Sequence, residues 1–355
     1  MAKVLMKGNE AMALAAIKAG CDAFYGYPIT PQNELPEYLS KHMKLNGRAF
    51  VQAESEVAAI NMVYGAAGAG ARVMTSSSSP GIALKQEGIT YIAGAQLPAV
   101  IVNVMRGGPG LGGIQPSQAD YNQITRGGGN GDYSLYALAP ESLQEAVDCI
   151  KEAFDIADYF RNPVMIAVDG LIGQMMEPVD FDKPIRKWDL KEKTWKADGD
   201  RSNREKNVIN SLYLDPNDLE NHNHVLQAKY DEMTRDHQRY ELVNMENADI
   251  AIVAFGSTSR IARTAIEMLK EKGVNCGILR PITIFPFPAK AFAELPETVK
   301  DLLVVEMSMG QMIQDVRIVN EGKLPIHFYG RVGGIVPEAE EIVNKVLEIV
   351  GGTNE

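Results

Sequence analysis

The feature that most constrains this chain is an alternation of short apolar runs with longer segments of helical period, which recurs through the first 180 residues. The runs at 98–105 and 163–170 are nearly continuously apolar and lack the polar alternation of a strand that faces water. Such runs are typical of strands covered on both faces in a parallel sheet. The pattern therefore predicts an α/β fold built on a mostly parallel sheet.

The alternation is interrupted once, and this interruption suggests three parts. Residues 1–180 are predicted to form one α/β domain, and residues 248–355 a second domain of Rossmann-like outline. Residues 181–247 between them are rich in charged side chains and read as a linker or arm. Within this arm we predict a long surface helix, with Asp215 as its cap and Pro216 at its first helical position.

Composition and charge argue against several classes of protein. The formal net charge of -11 does not suit a nucleic-acid surface, which needs clustered Lys and Arg. No run of about 18 apolar residues offers a membrane span, and charged residues interrupt any signal-peptide core near the N-terminus. The expectation is a cytoplasmic protein that binds neither nucleic acid nor membrane.

The cysteines and histidines predict no metal site. Cys21, Cys149 and Cys276 are far apart in sequence and form no C-x-x-C motif, so neither a zinc site nor an iron–sulfur cluster is expected on this chain. Buried thiols in a reducing compartment are expected instead. His222 and His224 are spaced i, i+2, which turns them to different faces of a helix, so a solvated helix is favoured over a metal pair.

A glycine-rich loop follows the apolar run at 98–105. Gly108, Gly110 and Gly113 have the G-x-G-x-x-G spacing of a dinucleotide fingerprint, which would suit a NAD-dependent dehydrogenase. The motif falls late in its domain, however, and Pro109 removes a backbone N–H where a pyrophosphate would bind. A loop of close backbone approach is the favoured alternative. Arg106, just before the loop, could bind a carboxylate at the strand end or form a structural ion pair.

Two further segments are candidate site loops. The serine run "TSSSSPG" (75–81) has no nucleophile elbow around it and no histidine nearby, so we expect it to line a pocket or cap the following helix. Thr30 lies between Pro28 and Pro31, which stiffens the loop and restricts the backbone of Ile29 and Thr30.

Two acids, Glu54 and Glu56, open an otherwise apolar helix. The simplest interpretation is a favourable interaction with the helix N-terminus. Helical steps from Glu56 lead to Ile60 and Val63, however, so Glu56 is the acid predicted to face inward. A buried carboxylate is costly unless a polar group hydrogen-bonds to it, and we therefore expect a polar partner for Glu56.

Taken in order, several motifs resemble the α subunit of 2-oxoacid:ferredoxin oxidoreductases. The motifs are "YPITP" (27–31), "AESEVAAINMVYGAAGAGA" (53–71), "TSSSSPG", "LPAVIVNVMRGGPG" (97–110), "GDYSLYALAPESLQEA" (131–146) and "VVEMSMGQMIQDVR" (304–317). The resemblance covers nearly the whole chain. It implies a pyrimidine-type thiamine diphosphate domain over 1–180 and a transketolase C-terminal-like domain over 248–355. These enzymes cleave 2-oxoacids oxidatively to acyl-CoA and CO2 and pass electrons to ferredoxin.

The resemblance assigns roles to individual residues. By its place in the motif, Glu56 would hydrogen-bond the ring nitrogen of the cofactor's aminopyrimidine and favour the imino tautomer that removes the thiazolium proton. Thr30 would contact the substrate near its carbonyl, with Pro28 and Ile29 in the same cofactor-binding loop. Arg106 would bind the carboxylate of the 2-oxoacid. The resemblance implies no metal ligand in this chain.

The resemblance also implies partners, because this chain has no G-D-G motif with a distant Asn and no cluster cysteines. A β subunit would carry the diphosphate and Mg2+ site, since such a site needs oxygen ligands. Iron–sulfur clusters and CoA would bind elsewhere in the complex, with γ and ferredoxin-like δ subunits as further possible partners. Catalysis would then require the assembled complex. A non-catalytic scaffold subunit is the competing hypothesis.

The substrate is predicted from the glycine loop. The segment at 106–121 is more similar to the branch for 2-oxoisovalerate (3-methyl-2-oxobutanoate) than to the 2-oxoglutarate branch, and no second cation lies between Arg106 and Arg126. A branched-chain 2-oxoacid is favoured. Lys85, on the helix after the serine run, could reach a distal carboxylate, which keeps 2-oxoglutarate open.

Overall fold

The structure is a computed structural model that describes residues 3–199 and 205–352. The strands and helices up to residue 180 are β1 Val4–Lys7, α1 Gly8–Lys18, β2 Ala23–Gly26, α2 Glu34–Leu45, β3 Ala49–Gln52, α3 Glu56–Gly68, β4 Val73–Ser77, α4 Ser79–Gly94, β5 Ala99–Met105, α5 Tyr121–Thr125, β6 Tyr136–Leu138, α6 Leu143–Phe160, β7 Pro163–Asp169, α7 Gly170–Gln174 and β8 Met176–Val179. The remaining elements are α8 Pro216–Asp236, β9 Tyr240–Val243, β10 Ile250–Val253, α9 Gly256–Glu271, β11 Cys276–Pro281, β12 Thr283–Phe285, α10 Ala289–Ala293, β13 Asp301–Glu306, α11 Met312–Asn320, β14 Ile326–Gly330 and α12 Ala339–Gly352.

The first sheet has seven strands in the order β12-β6-β7-β5-β4-β2-β3. All neighbouring strands are parallel except β12, which pairs antiparallel with β6. Every residue of β5 and of β7 is buried, because helices cover both faces of the sheet. The predicted α/β fold with a mostly parallel sheet is confirmed.

The second sheet has five strands in the order β14-β13-β10-β11-β9, with only β9 antiparallel. Where β13 ends, the buried carboxylate of Glu306 accepts hydrogen bonds from the backbone N–H groups of Gln311, Met312 and Ile313. These N–H groups surround the start of α11, so this acid satisfies donors that the helix itself cannot.

Two short strands connect distant parts of the chain. β8 pairs antiparallel with β1, and Val4 faces Val179 in their register. β12, from the last third of the chain, completes the first sheet through Thr283 opposite Leu138. The predicted domain boundaries at residues 180 and 247 stay a prediction. Residues 283–285, which lie in the second predicted domain, pair with the sheet of the first.

The predicted arm helix exists as α8. The Asp215 carboxylate accepts a hydrogen bond from the Asn217 N–H, and Pro216 occupies the first turn, as the sequence predicts. The helix is less solvated than expected, because Leu226, Tyr230 and Met233 are buried against the rest of the chain.

The two histidines of α8 are not brought together as metal ligands. His222 hydrogen-bonds through Nε2 to the carbonyl oxygen of Gly94 at 2.6 Å, whereas His224 is exposed. Over 3–199 and 205–352, no group of three or more His, Cys, Asp or Glu side chains could hold a metal ion.

The cysteines are free and buried, as predicted. Burial raises the pKa of the Cys21 and Cys276 thiols to about 12 each. None of the described helices is both long enough and apolar enough to cross a bilayer.

Candidate functional site

The candidate site lies at the carboxyl edge of the first sheet, where parallel strands end side by side. The loop with Thr30 follows β2, Glu56 begins α3 after β3, Ser79 begins α4 after β4, and Arg106 follows β5. Segments that are far apart in sequence therefore meet at one edge.

Glu56 is the first residue of α3, and the helix is capped by Ser55, whose hydroxyl accepts a hydrogen bond from the Ala58 N–H at 3.1 Å. Glu56 is only 6% exposed, whereas Glu54 is exposed. The inward orientation predicted by helical spacing is therefore observed. The expected polar partner is missing, since no described residue donates a hydrogen bond to the Glu56 carboxylate.

Helix α4 passes so close to Glu56 that a side chain at position 81 would require Glu56 and Ser77 to move. A Cβ atom there would lie 2.7 Å from Glu56 Oε1 and 2.1 Å from Ser77 Oγ. The hydroxyls of Ser77 and Ser78 are buried and make no hydrogen bond. Buried polar groups are normally hydrogen-bonded, so the unpaired Ser77 hydroxyl close to the Glu56 carboxylate marks a place for a polar ligand.

The expectation for the serine run was partly wrong. Thr75, Ser76 and Ser77 are not in a loop but in β4, and α4 starts at Ser79. Ser78 is the residue before the helix, yet its side chain caps no N–H group. Sequence could not show this, because serine suits strands, loops and caps alike.

Arg106 is buried and has no carboxylate partner among the residues described. Its Nη1 donates to the carbonyl oxygen of Thr30 at 2.8 Å and its Nη2 to that of Leu111 at 3.1 Å. Its Nε–H is buried without an acceptor. The alternative prediction of a structural ion pair is therefore wrong. The Arg106 guanidinium lies at the strand end and keeps N–H groups that can donate to a ligand.

A polar network that the sequence did not reveal fixes the Arg106 backbone. Its N–H donates to Ser79 Oγ at 3.0 Å, and the Ser79 hydroxyl in turn donates to Asp120 at 2.7 Å. Asp120 also accepts a hydrogen bond from Asn103 Nδ2 at 2.9 Å. Burial raises the pKa of Asp120, against the opposing effect of these two hydrogen bonds.

The loop of Thr30 is held from two helices. Asn9 on α1 and Gln174 on α7 both donate to the carbonyl oxygen of Pro31, at 2.8 and 3.0 Å. The Thr30 hydroxyl accepts a long hydrogen bond from Asn33 at 3.3 Å, which leaves its own hydrogen available. The sequence motif around Thr30 does not predict that Asn9 and Gln174 support this loop.

Pro28 and Ile29 belong to the same loop, with Pro28 exposed and Ile29 half-buried. Pro28 borders a cavity of about 280 Å³ between the start of α2 and β3, lined also by Asn33 and Gln52. The two residues are thus near the sheet edge, and their assignment to a cofactor loop stays a prediction.

The glycine loop does not support the dinucleotide hypothesis. The Gly113 N–H donates to the carbonyl oxygen of Gly107 at 2.9 Å, so the loop closes on itself. Gly110 and Gly112 have positive φ values of 70° and 59°, a backbone conformation that favours glycine at these two positions. No helix opens from the loop as a dinucleotide fingerprint requires, because the next helix, α5, starts only at Tyr121.

Lys85 cannot reach a substrate carboxylate, which corrects the expectation that kept it in the site. The side chain is fully buried, and Nζ donates to Thr75 Oγ1 at 2.6 Å and to the Ser76 carbonyl oxygen at 3.1 Å. Burial lowers the pKa of Lys85 to about 7, with the Glu56 carboxylate opposing this shift.

The site fits one end of thiamine diphosphate. The unpaired Glu56 carboxylate and the unpaired serine hydroxyls suit a polar ring with nitrogen atoms. Over the described residues no group of three or more His, Cys, Asp or Glu side chains could hold a metal ion, so the contacts described here concern the ring end of the cofactor alone.

Comparisons with known proteins agree with this geometry. Residues 14–252 match the profile of the family "Pyruvate flavodoxin/ferredoxin oxidoreductase, thiamine diP-bdg", and residues 248–342 match pyruvate:ferredoxin oxidoreductase core domain II. The ketoisovalerate oxidoreductase subunit VorB of Methanothermobacter thermautotrophicus is 47% identical over the full length of both chains. The 2-oxoglutarate synthase subunit KorA of the same organism is 34% identical over 97% of this chain and 98% of its own.

A solved structure is also similar. The 2-oxoglutarate:ferredoxin oxidoreductase of Magnetococcus marinus, with 2-oxoglutarate, coenzyme A and succinyl-CoA bound, superposes with a TM-score of 0.87 at 27% identity. The match covers 98% of this chain but only 65% of that one. No comparison supports a NAD-dependent dehydrogenase or a non-catalytic scaffold. The chain belongs to the 2-oxoacid:ferredoxin oxidoreductases, as a subunit that contains their thiamine diphosphate-binding region.

Proposed function

We propose that this chain is the α subunit of an enzyme that oxidatively decarboxylates a branched-chain 2-oxoacid, with 3-methyl-2-oxobutanoate favoured over 2-oxoglutarate. The products are the acyl-CoA and CO2, and the electrons pass to ferredoxin. The observation that carries this proposal is the buried guanidinium of Arg106, which has no carboxylate partner among the described residues and whose Nε–H has no acceptor, held at the carboxyl edge of the sheet beside Thr30.

Arg106 is well placed to bind the substrate carboxylate. A guanidinium has five N–H donors, and the backbone carbonyl groups of Thr30 and Leu111 take two of them. The buried Nε–H and a remaining Nη hydrogen can bind the two oxygens of one carboxylate in parallel. Such a contact orients the bond that breaks during decarboxylation.

Glu56 and Thr30 act on the cofactor and on the reacting carbonyl. Thiamine diphosphate, when bound, supplies the nucleophilic carbon and the electron sink for decarboxylation. The Glu56 carboxyl group holds a hydrogen bond to the ring nitrogen of the aminopyrimidine. The Thr30 hydroxyl keeps a hydrogen to donate near the substrate carbonyl, since it only accepts from Asn33.

Three observations support an apolar substrate tail. Leu111 and Ile114 are exposed on the glycine loop that hydrogen-bonds Arg106. Lys85, which might have bound a second carboxylate, is buried behind β4 hydroxyls. Identity is also higher to the ketoisovalerate subunit, at 47%, than to the 2-oxoglutarate subunit of the same organism, at 34%.

The remaining parts of the reaction belong to partners in this proposal. A β subunit supplies the ligands for Mg2+ and diphosphate, and iron–sulfur clusters on a ferredoxin-like δ subunit or another chain carry electrons to ferredoxin. CoA binds in the complex, a γ subunit completes it, and the complex works in the cytoplasm. The support is the lack of a metal-ligand cluster among the described residues and the naming of relatives as subunits.

The test is a panel of 2-oxoacids with CoA and a viologen dye, on the complex assembled from co-expressed subunits. We expect 3-methyl-2-oxobutanoate to have a higher kcat/KM than 2-oxoglutarate. Arg106→Ala removes two charge-assisted hydrogen bonds, each worth about 1.5–3 kcal/mol, so kcat/KM should fall by about 10²–10⁴. Arg106→Lys should recover little of this, because an ammonium cannot form the fork.

Arg126→Ala is the matched control. This guanidinium forms an ion pair with Asp315 and is more exposed than Arg106. Its removal should leave kcat/KM within about twofold if the effect at Arg106 is specific. Normal kcat/KM in Arg106→Ala, or a preference for 2-oxoglutarate, would contradict the proposal.

A further inference from the structure

The backbone of Arg106 lies beyond the point where strands β4 and β5 stop pairing. Their register ends at Ser77 opposite Asn103, so β4 offers no acceptor to the Arg106 N–H three residues further on. The Ser79 hydroxyl takes this place, with its oxygen 3.0 Å from the Arg106 nitrogen. The residue whose guanidinium is proposed to bind the substrate carboxylate is therefore held by a side chain and not by sheet pairing.

The Ser79 hydroxyl has one hydrogen and two candidate acceptors. Asp120 Oδ2 lies 2.7 Å from Ser79 Oγ, whereas the Arg106 carbonyl oxygen lies at 3.2 Å. Because a hydroxyl donates only once, the shorter bond to the carboxylate takes the hydrogen. The lone pairs of Ser79 Oγ then face the Arg106 N–H. The result is one directed series of hydrogen bonds, from the Arg106 N–H through the Ser79 hydroxyl to Asp120, called the Asp120 series below.

Asn103 on β5 fixes the geometry of this series from a second direction. Its Nδ2 donates to Asp120 Oδ2 at 2.9 Å, and its Oδ1 accepts from the Ser79 N–H at 3.2 Å. None of the described cations pairs with the Asp120 carboxylate. A carboxylate that accepts only from neutral groups, with no cation beside it, serves the geometry of those groups and not charge balance.

The segment that carries Asp120 is fastened on both sides to the start of α11, which follows β13 of the second sheet. Gln311, the residue before α11, accepts at Oε1 from the Asn122 N–H at 2.7 Å and donates from Nε2 to the Ala119 carbonyl oxygen at 2.6 Å. The Gln311 N–H in turn donates to the Glu306 carboxylate. A shift of Asp120 would strain these bonds, so the Asp120 series has a rigid end.

We propose that Asp120 is a positioning residue that sets the direction of the Arg106 guanidinium for the substrate carboxylate, through Ser79 and with Gln311 as its anchor; this inference rests on the function proposed above. Two carbonyl groups hold the Nη atoms of the guanidinium, and the Asp120 series holds the backbone from which it extends. Without Asp120, the Ser79 hydrogen turns to the Arg106 carbonyl oxygen, and the Arg106 N–H loses its aligned acceptor. A fork that binds a carboxylate tolerates little error, and a displacement of about 1 Å can cost about 100-fold in rate.

The experiment is a double-mutant cycle of Asp120→Ala and Arg106→Ala on the assembled enzyme, with CoA, a viologen dye and the 2-oxoacid that is turned over best. We expect Asp120→Ala alone to lower kcat/KM by about 10- to 100-fold. In the Arg106→Ala background it should lower kcat/KM by less than about twofold, because no guanidinium is left to direct. No loss in the first case, or an equal loss in both backgrounds, would overturn the proposal.

Cofactor affinity separates positioning from general damage to the sheet edge. The Kd of thiamine diphosphate with Mg2+ should stay within about twofold in Asp120→Ala, because the hydrogen bonds of Asp120 go to Ser79 and Asn103 and not to Glu56. A Kd that rises as far as kcat/KM falls would overturn the positioning role. Ser79→Ala breaks the Asp120 series one bond nearer Arg106 and should lower kcat/KM at least as much. Should Asp120→Ala fail to assemble, Ser79→Ala decides in the same cycle.

Two further variants test the anchor and the specificity of the effect. Gln311→Ala releases both sides of Asp120 and should lower kcat/KM by less than Asp120→Ala does, and an unchanged kcat/KM would remove Gln311 from the proposal. Tyr121→Phe is the matched control, because it takes from the same segment a hydrogen bond to Asp315 that lies outside the Asp120 series. Its kcat/KM should stay within about twofold of the wild type, and a loss as large as that of Asp120→Ala would overturn the proposal.

Arg106→Ala separates this inference from the proposed function. If Arg106→Ala alone keeps a normal kcat/KM, the proposed function itself fails. If Arg106→Ala is impaired but Asp120→Ala and Ser79→Ala are normal, or lose the same factor in both backgrounds, only the positioning role of Asp120 is overturned.

Discussion

Replacing Gly81 by alanine tests whether the close approach of α4 holds Glu56 in place for the cofactor. The new Cβ would lie 2.7 Å from Glu56 Oε1 and 2.1 Å from Ser77 Oγ. The Ser77 hydroxyl has no hydrogen bond to lose and can rotate away. Glu56 has to retreat by about 0.7 Å to restore an ordinary contact of about 3.4 Å.

The expected changes in stability and in cofactor affinity follow from the atoms that the new Cβ meets. Gly81 lies in the first turn of α4, so alanine gains at most about 1 kcal/mol over glycine there, and the strain falls on two polar side-chain ends that can move. We therefore expect little change in the free energy of unfolding. A displaced Glu56 loses a hydrogen bond to the cofactor worth about 1.5–3 kcal/mol, which corresponds to a rise in the cofactor Kd of about 10- to 150-fold.

Gly88→Ala on the same helix face is the matched control. Its Cβ would lie 2.4 and 2.7 Å from two carbon atoms of Ile60, a buried and stiff side chain that cannot turn away. Overpacking here should lower the free energy of unfolding by about 1–3 kcal/mol, with only a small effect on cofactor affinity. Urea unfolding and calorimetric Kd on both variants measure the two effects. The reasoning is refuted if Gly81→Ala binds the cofactor normally or if both variants weaken binding equally.

Other predictions concern stability and reactivity. Arg280 donates to Glu145 from both Nη atoms, at 2.8 and 3.0 Å, so Arg280→Met should lower the free energy of unfolding by about 2–4 kcal/mol in urea, and a loss below about 1 kcal/mol would contradict this. The pKa of Lys85 is about 7 when folded and ordinarily 10.5, so the unfolded chain binds more protons between these values and stability rises with pH across that window. Lys85→Met should reduce this slope in urea titrations at several pH values, and an unchanged slope would refute the argument. With pKa values of about 12, the buried Cys21 and Cys276 should resist iodoacetamide at pH 8 until the chain is unfolded, which mass spectrometry can follow; rapid labelling of the native chain would show the assignment to be wrong.

The sequence predicted the features that depend on local periodicity. Continuous apolar runs gave β5 and β7, and helical spacing distinguished the buried Glu56 from the exposed Glu54. Arg106 was found because it directly follows a buried strand. In each case the signal lies within a few residues of the chain, where period and strand ends constrain side-chain direction.

The sequence failed where direction depends on a distant segment. Lys85 was considered able to reach a distal carboxylate of the substrate, because its helix position alone does not show that the side chain is fully buried and bonded to β4. The bond from Ser79 to Asp120 joins residues 41 positions apart, and no local motif announces it. The G-x-x-x-x-x-x-G spacing of Gly81 and Gly88 was the available sign that α4 approaches another helix closely.

Strand β12 limits how the chain can be divided. It covers the outer side of β6, and without it β6 would present unpaired N–H and C=O groups at the end of the first sheet. A fragment that ends near residue 247 would therefore keep most of the candidate site, but it would leave β6 as an unpaired edge strand that can associate with other chains. Such a fragment is a poor choice for expression, and internal fusions or truncations should keep residues 283–285 with the first sheet.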